Sequence, residues 1–217
     1  MIMEKMIQIT ENNINFIKEV YGIHKGINEI SAELSMPSLP QGDLTILRIN
    51  YLISVNIMEL SIILKSLQQE DNTWRGIFYI KQSYLSVYET IKLYEKKLSP
   101  DLIKLLKEED KLSHTEISLL FRNFKKKYSY SKEIKSVRNF ATAHFDYNIL
   151  DFLDTLEKLD KNKCIDMISE FIEILFILLL FISNIYERIA DLKNINFSVI
   201  EENLNELIQR YKKTNGS

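Results

Sequence analysis

Apolar positions along this chain recur at steps of three and four residues, the pattern of helix faces turned toward a core. Phe16, Val20, Ile23, Ile27, Ile30 and Leu34 follow it and predict a first helix, weakened locally by Gly22 and Gly26, that Pro37, Pro40 and Gly42 end. Asp43 suits an N-cap for a second helix over about residues 44–67. That segment is apolar on most sides, which places it near a bundle centre. Asp71, Asn72 and Thr73 form a polar turn. Ile77, Ile80, Tyr84, Val87, Ile91, Tyr94 and Leu98 then keep a 3.5-residue repeat, suited to left-handed helix packing. Ser99-Pro100 is expected to stop this third helix. A short helix around 101–107 follows, then one that begins after Ser113 and runs through Ile117, Leu120, Phe121 and Phe124. Residues 128–131 read as a link, with Ser131 as N-cap of a helix reaching His144 or beyond. A long helix over 164–193 and an amphipathic one over about 197–213 complete the pattern.

Composition sharpens this all-α reading. Five glycines and three prolines in 217 residues are too few for a turn-rich β fold. A hydrophobic content of 46% excludes a disordered chain. The single cysteine, Cys164, excludes a disulfide framework and a cysteine-based zinc site. The longest apolar run, 174–182, has nine residues, against about 20 for a membrane span. It reads as a buried core helix. No apolar run follows the lysine of MIMEKMIQITENN, so no cleavable secretory signal is expected. The expectation is a single helical domain over 1–217, soluble and cytoplasmic, with no membrane partner.

The net charge of −2 gives no global attraction for polyanions, but charge is unevenly placed. Between residues 122 and 138 stand Arg122, Lys125, Lys126, Lys127, Lys132, Lys135 and Arg138 against one acid, Glu133. The stretch carries +6 and leaves −8 for the remainder. Phe121, Phe124, Tyr128 and Tyr130 are interleaved with it. Cations bind phosphates and aromatic rings stack on unpaired bases, so the mixture suits single-stranded nucleic acid. It equally suits a solvated helix face above core aromatics.

Directly after comes SVRNFATAHFDYN, residues 136–148. On a helix, Ile134, Val137, Ala141 and Phe145 form an apolar stripe. Arg138 and His144 fall near its opposite edges, about 120° and about 9 Å apart. One helix does not bring them together; two such helices packed about a two-fold axis could. Ala141, Thr142 and Ala143 leave room for a close approach. Taken alone, His144 also fits a hydrogen-bonded core histidine, and Arg138 an ion-pair partner of Glu133 or Asp146.

The run Arg138-Asn139, four more residues, then His144 resembles the signature of the HEPN superfamily, and the Ala143-His144-Phe145-Asp146 context resembles abortive-infection members. The resemblance implies a bundle of four to five core helices. A helix at about 1–36 and another at about 197–213 would be extensions. It implies a homodimer acting on RNA as a metal-independent endoribonuclease with no cofactor and no metal site, and an antitoxin or sensor as a further partner. It also admits a catalytically silent binding or scaffold protein.

The implied catalytic set is Arg138, Asn139 and His144, with Asp146 and Tyr147 in support and the stretch from Arg122 to Lys135 guiding RNA. The chemistry agrees with these residue types. Cleavage by the substrate's own 2′-hydroxyl needs a group to take its proton and one to protonate the leaving 5′-oxygen, and histidine titrates in the right range. A permanently charged arginine stabilises the extra negative charge on phosphorus. One toxin subset of the family carries a tyrosine two residues after the histidine, the target of a nucleotidyltransferase. Here that place is Asp146, which argues against that mode of control.

Overall fold

The computed structural model describes residues 2–33, 41–70, 73–142 and 159–190, and among these every regular element is a helix. In chain order they are α1 (Ile2–Glu33), α2 (Gln41–Gln69), α3 (Thr73–Leu93), a π-helical turn (Tyr94–Leu98), α4 (Ser99–Ile103), a 3₁₀ turn (Glu108–Asp110), α5 (Lys111–Lys127), α6 (Ile134–Thr142) and α7 (Lys161–Ala190).

Two matched 4-3 repeats build the core. On α2, Ile53, Ile57, Leu60, Leu64 and Leu67 are fully buried, and so on α7 are Cys164, Ile168, Phe171, Leu175, Leu178 and Ile182. That period keeps a seam facing its partner along the whole helix. α2 packs along both α1 and α7; α5 packs on α7, and α3 touches α2, α6 and α7. Aromatic rings fill the gap between α5 and α7, where Phe171 lies edge-on to Phe121 at 6.0 Å and tilted against Phe124 at 4.9 Å. Burying one such ring contributes about 1.5–3 kcal/mol. The run 174–182 is core as expected, with Ile177 turned outward. The Thr45–Gln69 part of α2 is long and apolar enough to cross a membrane by composition, and half of that stretch is buried inside the bundle. Two of its polar side chains pair with α1: Asn13 donates to Ser54 at 2.7 Å and to Asn50 at 3.2 Å.

Helix ends depart from the sequence reading in ways with local causes. Ser99-Pro100 does not stop the third helix. The Ser99 N–H reaches back five residues to the Tyr94 carbonyl, and this widened turn carries the chain into α4 with Pro100 in its first turn. The wider turn leaves room for the proline ring, which in a regular α-helix would clash with the carbonyl four residues back. α2 begins at Gln41, so Asp43 sits inside its first turn rather than capping it. α5 begins at Lys111, two residues before Ser113, after a turn closed by the Lys107 N–H donating to the Asp110 carboxylate at 3.1 Å. α7 begins at Lys161, where the Asp160 carboxylate accepts from the N–H groups of Asn162 at 2.7 Å and Lys163 at 3.2 Å. That is N-cap chemistry, worth about 1 kcal/mol. The helix expected over 197–213 lies outside the described residues.

His114 is a structural group at the base of α5. It is buried, its Nε2 lies 3.1 Å from Ser99 Oγ, and its ring is 6.4 Å from that of Phe181. Burial holds its pKa below the ordinary histidine value. Below about pH 6.5 the unfolded chain therefore takes up a proton that the folded one resists. Stability should be full above that pH and fall as pH drops through the window beneath it. Urea denaturation across pH 7.5 to 5 should show the decline, and His114→Gln should flatten it.

Candidate nucleic-acid interface

The site is built around the turn that joins α5 to α6. α5 ends in a Schellman motif: the Tyr130 N–H donates to the Lys125 carbonyl at 2.9 Å and the Ser129 N–H to the Lys126 carbonyl at 3.4 Å. The motif needs a left-handed residue, and Ser129 supplies it with a φ of 48°. The Ser129 carbonyl then accepts from Lys132 and Glu133, which starts α6 at Ile134, three residues beyond the expected Ser131 cap.

This turn aims Tyr130 at α3. The Tyr130 ring stacks on Tyr88 with centroids 5.5 Å apart and planes within 8°. The Lys125 ammonium covers the Tyr130 ring at 5.2 Å, and the Arg138 guanidinium covers the Tyr88 ring at 5.1 Å. The Lys92 ammonium also lies over the Tyr88 ring, at 5.8 Å, so cations flank both stacked rings. Each cation–ring contact is worth about 0.5–1 kcal/mol at such half-exposed positions. Glu89, one residue from Tyr88, accepts from Arg138 Nε at 3.2 Å and from its terminal nitrogen at 3.1 Å. Arg138 also donates to the Asn139 side-chain oxygen at 3.4 Å. Lys92 lies 3.5 Å from the other Glu89 oxygen.

Among the described residues Arg138 pairs with Glu89, and Asp146, the other expected partner, lies outside them. Glu133, expected as one alternative, is engaged elsewhere: it accepts from the Tyr84 hydroxyl at 2.8 Å and from Lys163 of α7 at 2.6 Å. Burial and that carboxylate push the Tyr84 hydroxyl pKa far up, so the phenol stays a donor. Cys164, bonded to Ser83 at 2.9 Å, is held as a thiol because burial raises its pKa to about 12.

The basic stretch divides in two. Lys125 pairs with Glu95, Lys127 with Glu170 and Arg138 with Glu89. Tyr128 also donates to Glu170 at 2.8 Å; burial leads in raising its pKa to about 12. By contrast, Arg122, Lys126, Lys132 and Lys135 are exposed and form no ion pair with the described residues. Asn139 is exposed beside Arg138. The aromatics are split as well: Phe121, Phe124 and Tyr128 are core, and Tyr130 is half-buried at the surface. Of the catalytic set, His144 lies outside the described residues, as do Asp146 and Tyr147. Tyr88 and Glu89 belong to the site, and nothing in the sequence pattern singled them out. Their only signal was their place on α3, which says nothing about a partner 49 residues away. Among the described residues, no three His, Cys, Asp or Glu side chains converge as metal ligands.

Comparison with protein-family models, with curated proteins and with solved structures finds no match for this chain.

Ser129 gives a direct test of how the turn positions the stack. A non-glycine residue in the left-handed region costs about 1 kcal/mol. Ser129→Gly should raise stability by about 0.5–1 kcal/mol, measured as a shift of the urea midpoint at constant slope.

Proposed function

We propose that this protein is a metal-independent endoribonuclease of HEPN type, acting as a homodimer on single-stranded RNA in stress response, toxin–antitoxin control or phage defence. One observation carries the reading: the guanidinium of Arg138 is held at the surface in a fixed orientation by the Tyr88 ring and the Glu89 carboxylate. Asn139 stands beside it, with His144 six residues after the arginine. A site that must grip a phosphate in one geometry benefits from such preorganisation. Exposed Lys126, Lys132 and Lys135 supply the longer-range attraction for a polyanion.

In this reading, His144 of one protomer takes the proton of the ribose 2′-hydroxyl as that oxygen attacks phosphorus. The P–O5′ bond breaks, and His144 of the other protomer protonates the departing oxygen. Arg138 binds the non-bridging oxygens as charge builds on them. Asn139 orients the phosphate or the imidazole. The products are a 2′,3′-cyclic phosphate and a 5′-hydroxyl, and the protein supplies every group the step needs.

A second reading, a catalytically silent HEPN-like binding or scaffold protein, is favoured by the same contact seen from the other side. Glu89 already neutralises Arg138. The two readings separate on purified protein incubated with single-stranded RNA in EDTA. The nuclease reading expects cleavage that His144→Ala abolishes at unchanged melting temperature. Intact RNA with the wild type, or cleavage untouched by His144→Ala, removes it.

Glu89→Gln keeps the shape but withdraws the charge. It should tighten RNA binding severalfold at low salt, and the gain should shrink as salt rises. Fluorescence anisotropy of a labelled oligonucleotide measures both effects.

A further inference from the structure

The first two turns of α3 carry the largest aromatic surface left open on the described residues. Trp74 is 67% and Phe78 53% exposed. They stand four residues apart, so they share a face. At about 100° per residue, Lys81, Leu85, Tyr88 and Lys92 fall within about 40° of the direction of Trp74. The face thus begins at two exposed rings and ends where Arg138 covers Tyr88 and bonds Glu89. Axially, Trp74 and Tyr88 are about 21 Å apart. The contacts of Tyr84 with Glu133 and of Glu89 with Arg138 lie beyond both exposed rings.

Charge selects the occupant. α3 bears Arg75, Lys81 and Lys92 against Glu89 alone, a net +2, and packs against the +6 stretch. Arg75 also pairs with Glu70 at 3.4 Å, yet its side chain remains 70% exposed. Open aromatic rings amid cations match the demands of an unpaired nucleic-acid strand: stacking faces for bases and positive charge for phosphates. A second copy docked here about a two-fold axis would set the same cationic face against itself.

We infer that the Trp74–Phe78 face of α3 is a nucleobase-stacking subsite for single-stranded RNA whose phosphate chain runs on to Arg138. The inference rests on the ribonuclease reading and adds to it where the substrate lies. The reach of about 21 Å corresponds to a strand of at least about four nucleotides, the low end of single-strand site sizes.

Trp74 is the chain's single tryptophan, so its emission reports on this face alone. A fluorescein-labelled octamer of 2′-O-methyluridine, which lacks the attacking hydroxyl and stays intact, is titrated into the full chain. Trp74 emission and probe anisotropy are followed together. Saturable quenching with the same midpoint as the anisotropy, and five- to tenfold weaker binding by Phe78→Ala at unchanged melting temperature, are expected. Binding seen by anisotropy with steady Trp74 emission and an unaffected Phe78→Ala overturns the subsite and leaves the RNA reading standing. No anisotropy change at all overturns both. Trp74 emission that shifts with protein concentration alone, without RNA, assigns the face to a second copy and overturns the subsite.

Discussion

The matched seam between α2 and α7 is the constraint on which everything else rests. Residues of both helices lose all contact with water at every third or fourth position, from Ile53 to Leu67 and from Cys164 to Ile182. Neither helix could leave that seam without exposing a continuous apolar stripe, at about 25 cal/mol for each Å² uncovered. Because α7 is fixed, its other faces become fixed supports. Phe171 anchors the aromatic contacts of α5, Cys164 meets Ser83 of α3, and Lys163 holds Glu133 at the entrance to α6. α3 and α6 are thus located by contacts to one rigid strut as well as to each other.

On that support, surface residues are placed with more precision than surface positions usually have. Tyr84 and Glu133 join α3 to the start of α6 beneath the surface. The left-handed Ser129 turns Tyr130 onto Tyr88 above them. Among the described residues, a ring and a carboxylate both constrain Arg138. The carboxylate and the ring each limit the freedom of the guanidinium. A long flexible side chain ordinarily has about 2 kcal/mol of rotamer freedom to lose on gripping a ligand. Here much of that loss has already occurred on folding.

The helical class was legible because the periodicity of α2, α3 and α7 is strong and glycine and proline are scarce. Ile77 to Leu98 announced α3 as a packed helix, and the run 174–182 announced core. What escaped was local. The π turn that carries α3 past Pro100 leaves no mark in a hydrophobic pattern, since it depends on one hydrogen bond reaching back a residue further than usual. The Schellman turn was hidden because serine, not glycine, occupies its left-handed position. Within the basic stretch, Lys125 and Lys132 read alike. Only the fold shows that one faces Glu95 and the other meets no acid among the described residues. Arg138 was legible as a candidate, and its partner was not, because a contact across 49 residues is a property of packing rather than of spacing.

The pairing of Arg138 with Glu89 looks at first like an argument against phosphate binding, since the cation is already neutralised. The geometry around Glu89 weakens that objection. Lys92 lies 3.5 Å from the carboxylate oxygen that Arg138 does not use. If a phosphodiester displaces Glu89 from the guanidinium, the carboxylate keeps a cation and, being almost half exposed, also keeps water. The exchange therefore swaps one anion for another on Arg138 without stranding a charge. At such exposure an ion pair contributes about 0–1 kcal/mol, so the barrier to releasing it is small. The Tyr88 contact does not depend on an anion and survives that exchange. For the proposed phosphodiester substrate, an arginine held this way would be oriented before binding and still available, which a deeply buried salt bridge would not permit.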